Sequence, residues 1–341
     1  MKTNEYVTKW VINTIKKKYR DDIALVVSHS TLNIDDKEKG VGYFVPITER
    51  GYQFGQTFIL EGTGFDIWGI DWDRLERFAD LEEYNITVLA DAEILYARCP
   101  EDAAHFASLK KRLSDHLADN EKTRKCAMNA YAQAKRIFFN MLFSKGSGIR
   151  LCAGYVVDYL ARAAAFVNHS YFKKSQTDQI NELSAMEKLP ADFLDNYEKV
   201  ITEQSDSRRK KLCYEMIVSI GDLLTQEYGE EKQVPEEHYF QDLADWYAEL
   251  SYTWKRIRHY TALNDVIKTH MWGIMLQNEL NQVCGDFGLK KMELMSAYNA
   301  KELTAFAKRA NELESEMREI IVNGGGTIRE YMSIEEFENE V

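Results

Sequence analysis

The stretch that decides the fold is ALVVSHSTLNIDDKEKGVGYFVPITERG at residues 24–51, followed closely by EGTGFDIWGIDWDRLERFA at residues 61–79. Three short apolar runs in these stretches are rich in β-branched and aromatic residues, and polar or glycine turns separate them, so they predict strands. The turn after the first strand starts with small hydroxyl residues. The third strand carries one acid, Asp66, and continues into a helical pattern. This order predicts a small mixed α/β unit built on a sheet.

Helical patterns flank this unit on both sides. Residues 1 to about 20 place apolar side chains at helical spacing, and Pro100 stands where a long helix begins, a position that tolerates proline. No convincing strand follows that helix. We therefore predict an α/β (α+β) mixed sheet domain followed by an all-α helical bundle domain. The predicted bounds are residues 1–117 for the sheet domain, 118–290 for the helical domain and 291–341 for a C-terminal helical extension.

Composition places the chain among ordinary globular proteins. Its 341 residues are 45% hydrophobic and 29% charged, with a formal net charge of −12. A negative chain does not adhere generally to nucleic acid or to anionic membrane, so we expect neither as a partner. The N-terminal residues lack the apolar core of a signal peptide, and the five cysteines are widely spaced with no CxxC, so we expect a cytoplasmic protein without disulfides or a zinc knuckle.

The order of strand, polar turn, strand and acid-bearing strand resembles the nucleotidyltransferase superfamily. Together with the helical second half, it resembles the two-domain kanamycin-type aminoglycoside nucleotidyltransferases over about residues 1–225, in layout more than in identity. The resemblance implies transfer of a nucleoside monophosphate from ATP or another nucleoside triphosphate to a hydroxyl of a small, antibiotic-type acceptor. It also implies Mg²⁺, which carboxylates hold against the triphosphate.

The family motifs map onto this chain residue by residue. The Gly-Ser that follows the first strand in the family corresponds to Ser28 and His29, with Ser30 close behind, and the resemblance implies that these residues contact phosphate. The acid on the third strand corresponds to Asp66, which the resemblance makes the catalytic residue and the metal ligand.

The paired metal-binding acids of the family's second strand fall on Gly40 and Gly42, which have no side chain to bind a metal. One remaining carboxylate cannot assemble the family's two-metal clamp. Asp35 and Asp36, in the preceding turn, could supply the missing ligand, although this turn also fits a solvated loop. The alternative to a transferase is therefore a catalytically inactive protein that binds a nucleotide or another anion.

A second clue is a segment that contains basic residues but no acidic ones, residues 122–157, which we call the basic window. Residues 122–157 contain no Asp or Glu and seven cations: Lys122, Arg124, Lys125, Lys135, Arg136, Lys145 and Arg150. Like charges repel one another unless an anion or an acidic neighbour offsets them. We predict that Lys135, Arg136 and Lys145 bind phosphate. The alternative is that acids from 71–83 or 91–102 pack against the window and neutralise it.

The C-terminal region offers a third hypothesis. The helix predicted at 299–322 carries an apolar stripe formed by Leu303, Phe306, Ala310, Leu313, Met317 and Ile320. This face could dock a partner or a second copy of the chain, which would make the protein an interaction scaffold or a homodimer. The simpler alternative is that the stripe is buried inside the same chain.

Overall fold

A computed structural model describes residues 3–28, 40–83, 85–174, 178–229 and 240–340. The chain forms two compact units, Met1–Gly229 and Glu230–Val341. His29, Ser30, Asp35 and Asp36 lie outside the described residues, so the roles predicted for them stay predictions.

The first unit contains a five-stranded mixed sheet. Its strands are β1 (Ile23–Ser28), β2 (Val41–Pro46), β3 (Gln56–Leu60), β4 (Thr63–Gly69) and β5 (Glu93–Ala97). They lie in the order β3-β4-β2-β1-β5. The pairs β1–β2, β1–β5 and β3–β4 are antiparallel, whereas β2 and β4 run parallel. Strand β1 is central and buried along its whole length, as its apolar sequence predicts.

Helices cover both faces of the sheet. On one face, α1 (Thr3–Lys18) buries Val7, Val11 and Ile15 in a cluster with Phe44 of β2. Four further helices line the other side or its edges: α2 (Glu49–Tyr52), α3 (Trp72–Ala79), α4 (Thr87–Ala90) and α5 (Pro100–Ala118). Leu75 of α3 and Phe106 of α5 belong to the core of this second face. Helix α5 begins at Pro100, as predicted.

A helical bundle completes the first unit. Its helices are α6 (Asn120–Phe143), α7 (Ser147–Val167), α8 (Gln179–Ser184), α9 (Phe193–Thr202) and α10 (Asp206–Tyr228). Alanines of α6 and α7 are buried against one another, which lets the two helices approach closely. Phe166 packs against both the bundle core and the sheet core, so the bundle and the sheet layer share one unit.

The second unit is helical throughout its described residues. It contains α11 (Phe240–Ala262), α12 (Val266–Asp286), α13 (Thr304–Asn323) and the short α14 (Ile334–Glu340). The apolar stripe of α13 faces the core of this same unit, where Phe306, Leu313 and Met317 are fully buried. The stripe is therefore not a free docking surface, which agrees with the simpler of the two alternatives.

The predicted fold class, a mixed α/β sheet followed by helices, is confirmed, and no strand follows Ala97 among the described residues. The segment ITVLADAEILY at residues 86–96 begins with an apolar run typical of a short strand, but that run forms the short α4, and strand β5 follows it. Across the described ranges, no helix is long and apolar enough to cross a membrane. The predicted domain bounds stay a prediction.

Candidate functional site

A cavity of about 500 Å³ opens where β2 and β4 run side by side. We call it the β2–β4 cavity. Its lining residues from α1 and the two strands are Asn4, Gly40, Val41, Gly42, Tyr43, Thr63, Gly64, Phe65, Asp66, Ile67 and Trp68, and α3 and the segment after it add Arg74, Phe78, Asn85 and Val88. Gly40, Gly42 and Asp66, the three positions that the sequence resemblance matches to metal-binding acids, therefore all line this cavity.

Asp66 lies on β4 and is exposed to this cavity. The antiparallel register places it opposite Thr57 of β3, whose hydroxyl donates a 2.9 Å hydrogen bond to Asp66 Oδ1. Alternation along β4 sends Ile67 into the core on the α1 side of the sheet, and Asp66 and Trp68 to the other side. The strand thus presents a carboxylate and a half-buried indole to the same space.

The two glycines do not stand at regular alternating positions. Val27 pairs with Tyr43 and Ser28 with Val41, so the register between β1 and β2 shifts at Gly42. Such a shift is a bulge, which breaks the rule that every second residue faces the same side. A Cβ at Gly40 would lie 3.7 Å from the Asn4 side chain, an ordinary contact. Sterics therefore do not explain why this position lacks a side chain.

Among the described residues, the donor set at this cavity does not fit a magnesium site. Mg²⁺ prefers several oxygen ligands, usually including one or two carboxylates with substrate phosphates. No group of three or more His, Cys, Asp or Glu residues in the described ranges could hold a metal ion. Asp66 is the one acid that lines the cavity in this part of the chain, and one of its oxygens already accepts from Thr57. The described residues therefore do not form the metal clamp of the family.

Arg74 is a cavity residue that the sequence analysis missed. It lies on α3, whose first turn is capped by Asp71 through a 2.8 Å bond from the Arg74 backbone N–H. Burial raises the pKa of Asp71, but this hydrogen bond and one from the Tyr52 hydroxyl outweigh burial and hold the pKa below its usual value. The Arg74 guanidinium lies 5.6 Å from the Trp68 ring centroid. The cap thus places a cation beside the indole.

The Arg74 guanidinium is held by a carboxylate outside the cavity wall. Arg74 Nε and Nη2 donate to the two oxygens of Glu83 at 3.2 and 3.3 Å, and Arg77 also donates to Glu83. Hydrogen bonds from Arg74, and then from Arg77, outweigh desolvation and hold the pKa of Glu83 below its usual value. Arg74 and Arg77 thus share Glu83, and both also act on the nearby Asp71, so two cations face two acids at this end of the cavity.

Tyr43 connects two of the elements that line the cavity. Its hydroxyl is buried and donates a 2.9 Å hydrogen bond to the Val88 carbonyl, which ties β2 to α4. Burial raises the pKa of Tyr43 well above its usual value, so the hydroxyl stays protonated and keeps donating. Tyr43 and Val88 both line the cavity, and their bond fixes the distance between two of its walls.

Ser28 ends β1 and is 1% exposed. Among the residues that the structure describes, its hydroxyl has no hydrogen-bond partner. The backbone of Ser28 pairs with Val41 and with Glu93, and the residue is not among those that line the cavity. An unpartnered buried hydroxyl is unusual, and here it lies directly before segment 29–39. Its predicted contact with phosphate stays a prediction.

The predicted phosphate-binding cations lie on the bundle. Lys135 and Arg136 are on α6, Lys145 follows that helix, and all three are exposed. Lys135 Nζ lies 4.5 Å from the Tyr131 ring centroid. None of the three lines the β2–β4 cavity as the structure describes it. Their phosphate-binding role also stays a prediction.

Three of the acids that were considered as neutralisers of the basic window, Asp80, Glu83 and Asp102, pair with arginines outside it. Asp80 pairs with Arg112, Glu83 with Arg74 and Arg77, and Asp102 with Arg98. Arg124 pairs with Glu121, the acid that precedes the window. Across the described ranges, no ion pair connects an acid to the remaining cations, which are Lys122, Lys125, Lys135, Arg136, Lys145 and Arg150. The positive charge of the window is therefore exposed to solvent.

The first acid after the window, Asp158, is occupied by structural partners. It is 9% exposed on α7, where it pairs with Arg162 one turn later. Gln179 donates to its other oxygen at 3.1 Å, and Tyr197 donates to Gln179 at 2.8 Å. Both carboxylate oxygens have partners, so Asp158 is built into the bundle and is not a free general base.

Comparison with known proteins adds little to this description of the site. No family model and no curated protein matches the chain. Among solved structures, a nucleotidyltransferase-like protein from Exiguobacterium sibiricum 255-15 is 12% identical, with 93% of this chain and 91% of that chain covered at a TM-score of 0.37. A TM-score below 0.5 does not establish a shared fold, so the case for function rests on the residues of this chain.

Proposed function

We propose that this protein binds a nucleoside triphosphate in the β2–β4 cavity as a nucleotidyltransferase-like binding protein that does not transfer the nucleotide. The observation that carries the proposal is the composition of one cavity wall, where Gly40 and Gly42 accompany a single acid, Asp66. The wall keeps the position of a transferase site in the strand order but lacks, in the described residues, the carboxylates that would hold two metal ions.

The remaining walls suit a nucleoside. A volume of about 500 Å³ lies within the range of ordinary small-molecule sites, which are mostly apolar with a few polar groups. Trp68 supplies aromatic surface on which a base can stack, and Asn85 supplies an amide donor and acceptor. Arg74 supplies positive charge for phosphate at the same cavity.

Charge decides how magnesium affects this binding. Without a metal, Asp66 repels a triphosphate, while Arg74 attracts it. A nucleotide bound in this way gains little from Mg²⁺, because one carboxylate adds little to the affinity of a metal ion that the triphosphate already chelates. The proposal therefore expects nucleotide binding that is nearly independent of divalent ions.

Stacking on Trp68 provides the test. Calorimetry with ATP and the Trp68→Ala variant should show affinity at least about fivefold weaker than the wild type, since stacking of one base contributes about 1–3 kcal/mol. Trp72→Ala is the matched control, because Trp72 also packs on the sheet core but stacks on His105 and does not line the cavity. Equal ATP affinity in wild type and Trp68→Ala, with both folded by circular dichroism, would contradict the proposal.

A second candidate is transfer of a nucleoside monophosphate to a hydroxyl of a small, antibiotic-type acceptor. This candidate is favoured by the position of Asp36 in the sequence. Asp36 precedes the lining residue Gly40 by four residues, which is at most about 14 Å of extended chain. Asp35 or Asp36 could thus supply a second carboxylate opposite Asp66. Magnesium-dependent release of pyrophosphate from ATP with an aminoglycoside acceptor, lost in the double variant Asp35→Asn, Asp36→Asn, would establish this candidate over simple binding.

A further inference from the structure

The end of the α6–α7 hairpin combines exposed apolar side chains with unpaired cations. We call this surface the hairpin tip and define it by Lys135, Arg136, Phe139, Leu142, Phe143, Lys145, Arg150 and Leu151. Phe143 is 74% exposed, Leu151 63% and Phe139 60%, and the two phenylalanine rings touch edge to face with centroids 5.1 Å apart. Large apolar side chains that stand out from a surface in a group mark an interaction site.

The cations of the hairpin tip lie between these apolar residues in the sequence. Arg136 precedes Phe139 by one helical turn, Lys145 follows Phe143 by two residues, and Arg150 adjoins Leu151. In the described part of the chain, these cations form no ion pair with an acid. The surface is therefore both apolar and positive over a few turns of helix, although the whole chain carries a net charge of −12.

The neighbouring helix adds to the positive side. Lys210 of α10 donates a 3.1 Å hydrogen bond from Nζ to the Leu142 carbonyl, which places its ammonium group at the end of α6. The two acids of α10 within five residues of Lys210 are both paired, Asp206 with Arg209 and Glu215 with Lys211. The helix next to the tip thus brings a further cation to it and no unpaired acid in this turn.

We propose that the hairpin tip docks the protein on a membrane surface that contains anionic lipid. Phenylalanine and leucine side chains with interspersed Lys and Arg are typical of elements that bury a few apolar residues at the headgroup boundary and hold anionic headgroups by charge. Charge complementarity selects this occupant over a second copy of the chain, because two such tips would repel each other. Leu142 and Leu151 add exposed aliphatic surface on which a nucleic-acid base does not stack, whereas a membrane interface buries aliphatic side chains together with Phe139 and Phe143.

This proposal revises the expectation that the protein has no membrane partner. That expectation used the net charge, but binding to a surface depends on the charge within about one Debye length, roughly 8–10 Å at ordinary salt. At that range the tip presents its own cations and Lys210, while the adjacent α10 contributes Asp206 and Glu215, which are paired with its own cations, and Asp222, which acts on Tyr131. Docking at the surface requires no membrane-spanning helix.

Vesicle sedimentation with the full chain tests the proposal. The wild type should sediment with phosphatidylcholine vesicles that contain about 30% phosphatidylserine, should not sediment with pure phosphatidylcholine, and should be released by about 0.5 M NaCl. Replacement of Lys135, Arg136, Lys145 and Arg150 by Gln should lower partitioning about a hundredfold or more, at about fivefold per cation. The variant Phe139→Ser, Phe143→Ser should lower it at least tenfold.

Two matched controls remove the same groups elsewhere in the first unit. Lys17→Gln with Lys18→Gln removes exposed charge from α1, and Ile59→Ser removes an apolar side chain that is 78% exposed on β3. Both should partition like the wild type. All the variants change exposed side chains, so circular dichroism should show that they remain folded.

Several results would overturn the proposal. These are failure to bind the anionic vesicles, equal binding to pure phosphatidylcholine, or tip variants that partition like the wild type. Binding of a single-stranded RNA or an acidic peptide through the same residues, in preference to vesicles, would assign the surface to that partner instead. ATP calorimetry on the four-cation variant separates this proposal from the nucleotide site: unchanged affinity supports the lipid role, and lost affinity assigns the cations to the nucleotide.

Discussion

Replacement of Asp158 by Asn tests whether this acid stabilises the helical bundle. The carboxylate side chain is 12% exposed and its partner, the Arg162 side chain, is 13% exposed, so water compensates little for a broken pair. Asn keeps an oxygen for the 3.1 Å bond from Gln179 but removes the negative charge that pairs with the Arg162 guanidinium. Breaking a buried pair from one side costs about 3–5 kcal/mol. We expect a loss of about 3 kcal/mol, at the lower end of that range, because the arginine edge is partly hydrated.

Urea unfolding followed by far-ultraviolet circular dichroism measures this loss. For a unit of this size, about 3 kcal/mol corresponds to a fall in Tm of roughly 6–12 °C. The control is Asp195→Asn, because Asp195 also pairs one turn ahead, with Lys199, but both side chains are more than half exposed. That variant should lose less than about 0.5 kcal/mol. A loss below about 1 kcal/mol for Asp158→Asn would refute the structural role and reopen Asp158 as a functional acid.

Two further predictions concern the sheet unit. Gly51→Ala should lower the free energy of unfolding in urea by more than about 2 kcal/mol, because a Cβ would lie 2.3 Å from a backbone oxygen. The control Gly64→Ala, with open space around the glycine, should lower it by less than about 1 kcal/mol. Similar losses in the two variants would contradict this packing. Glu83→Gln should remove a stabilisation of about 1 kcal/mol at neutral pH. Hydrogen bonds from Arg74 lower the folded-state pKa of Glu83, so this stabilisation is present above the unfolded-state pKa and is lost as the pH falls through the folded-state pKa. The stabilities of wild type and Glu83→Gln should therefore converge in acid. A stability difference that persists in acid, or an equal loss in the control variant Glu82→Gln, would contradict this prediction.

The sheet could be predicted because its strands carry strong local signals. The run before Ser28 is uniformly apolar and rich in β-branched residues, and it becomes the buried interior strand β1. The segment from Ile86 to Ala90 carries a similar signal but forms α4. There, Thr87 bonds to the Asn85 side chain and three successive residues are buried on the sheet core. Tertiary burial, which no local pattern reports, decided its conformation.

Only part of the candidate site could be predicted from the sequence. Gly40, Gly42 and Asp66 meet in one cavity because strand order places β2 beside β4, and the motif comparison anticipated this. Arg74 was missed because an arginine on an amphipathic helix ordinarily faces solvent, and only the crossing of α3 over the strands brings it to the cavity. The bulge at Gly42 could not be predicted, because register is a property of two paired strands.

The most direct test of the account is calorimetry of ATP binding to the wild type and to Asp66→Asn, each in EDTA and in Mg²⁺. If the cavity binds nucleotide without a metal clamp, wild-type affinity should agree within about threefold between the two conditions, and Asp66→Asn should bind at least as tightly, since a repelling charge is gone. A gain of more than about tenfold with Mg²⁺ that disappears in Asp66→Asn would contradict the account, because Asp66 would then be gripping a metal ion.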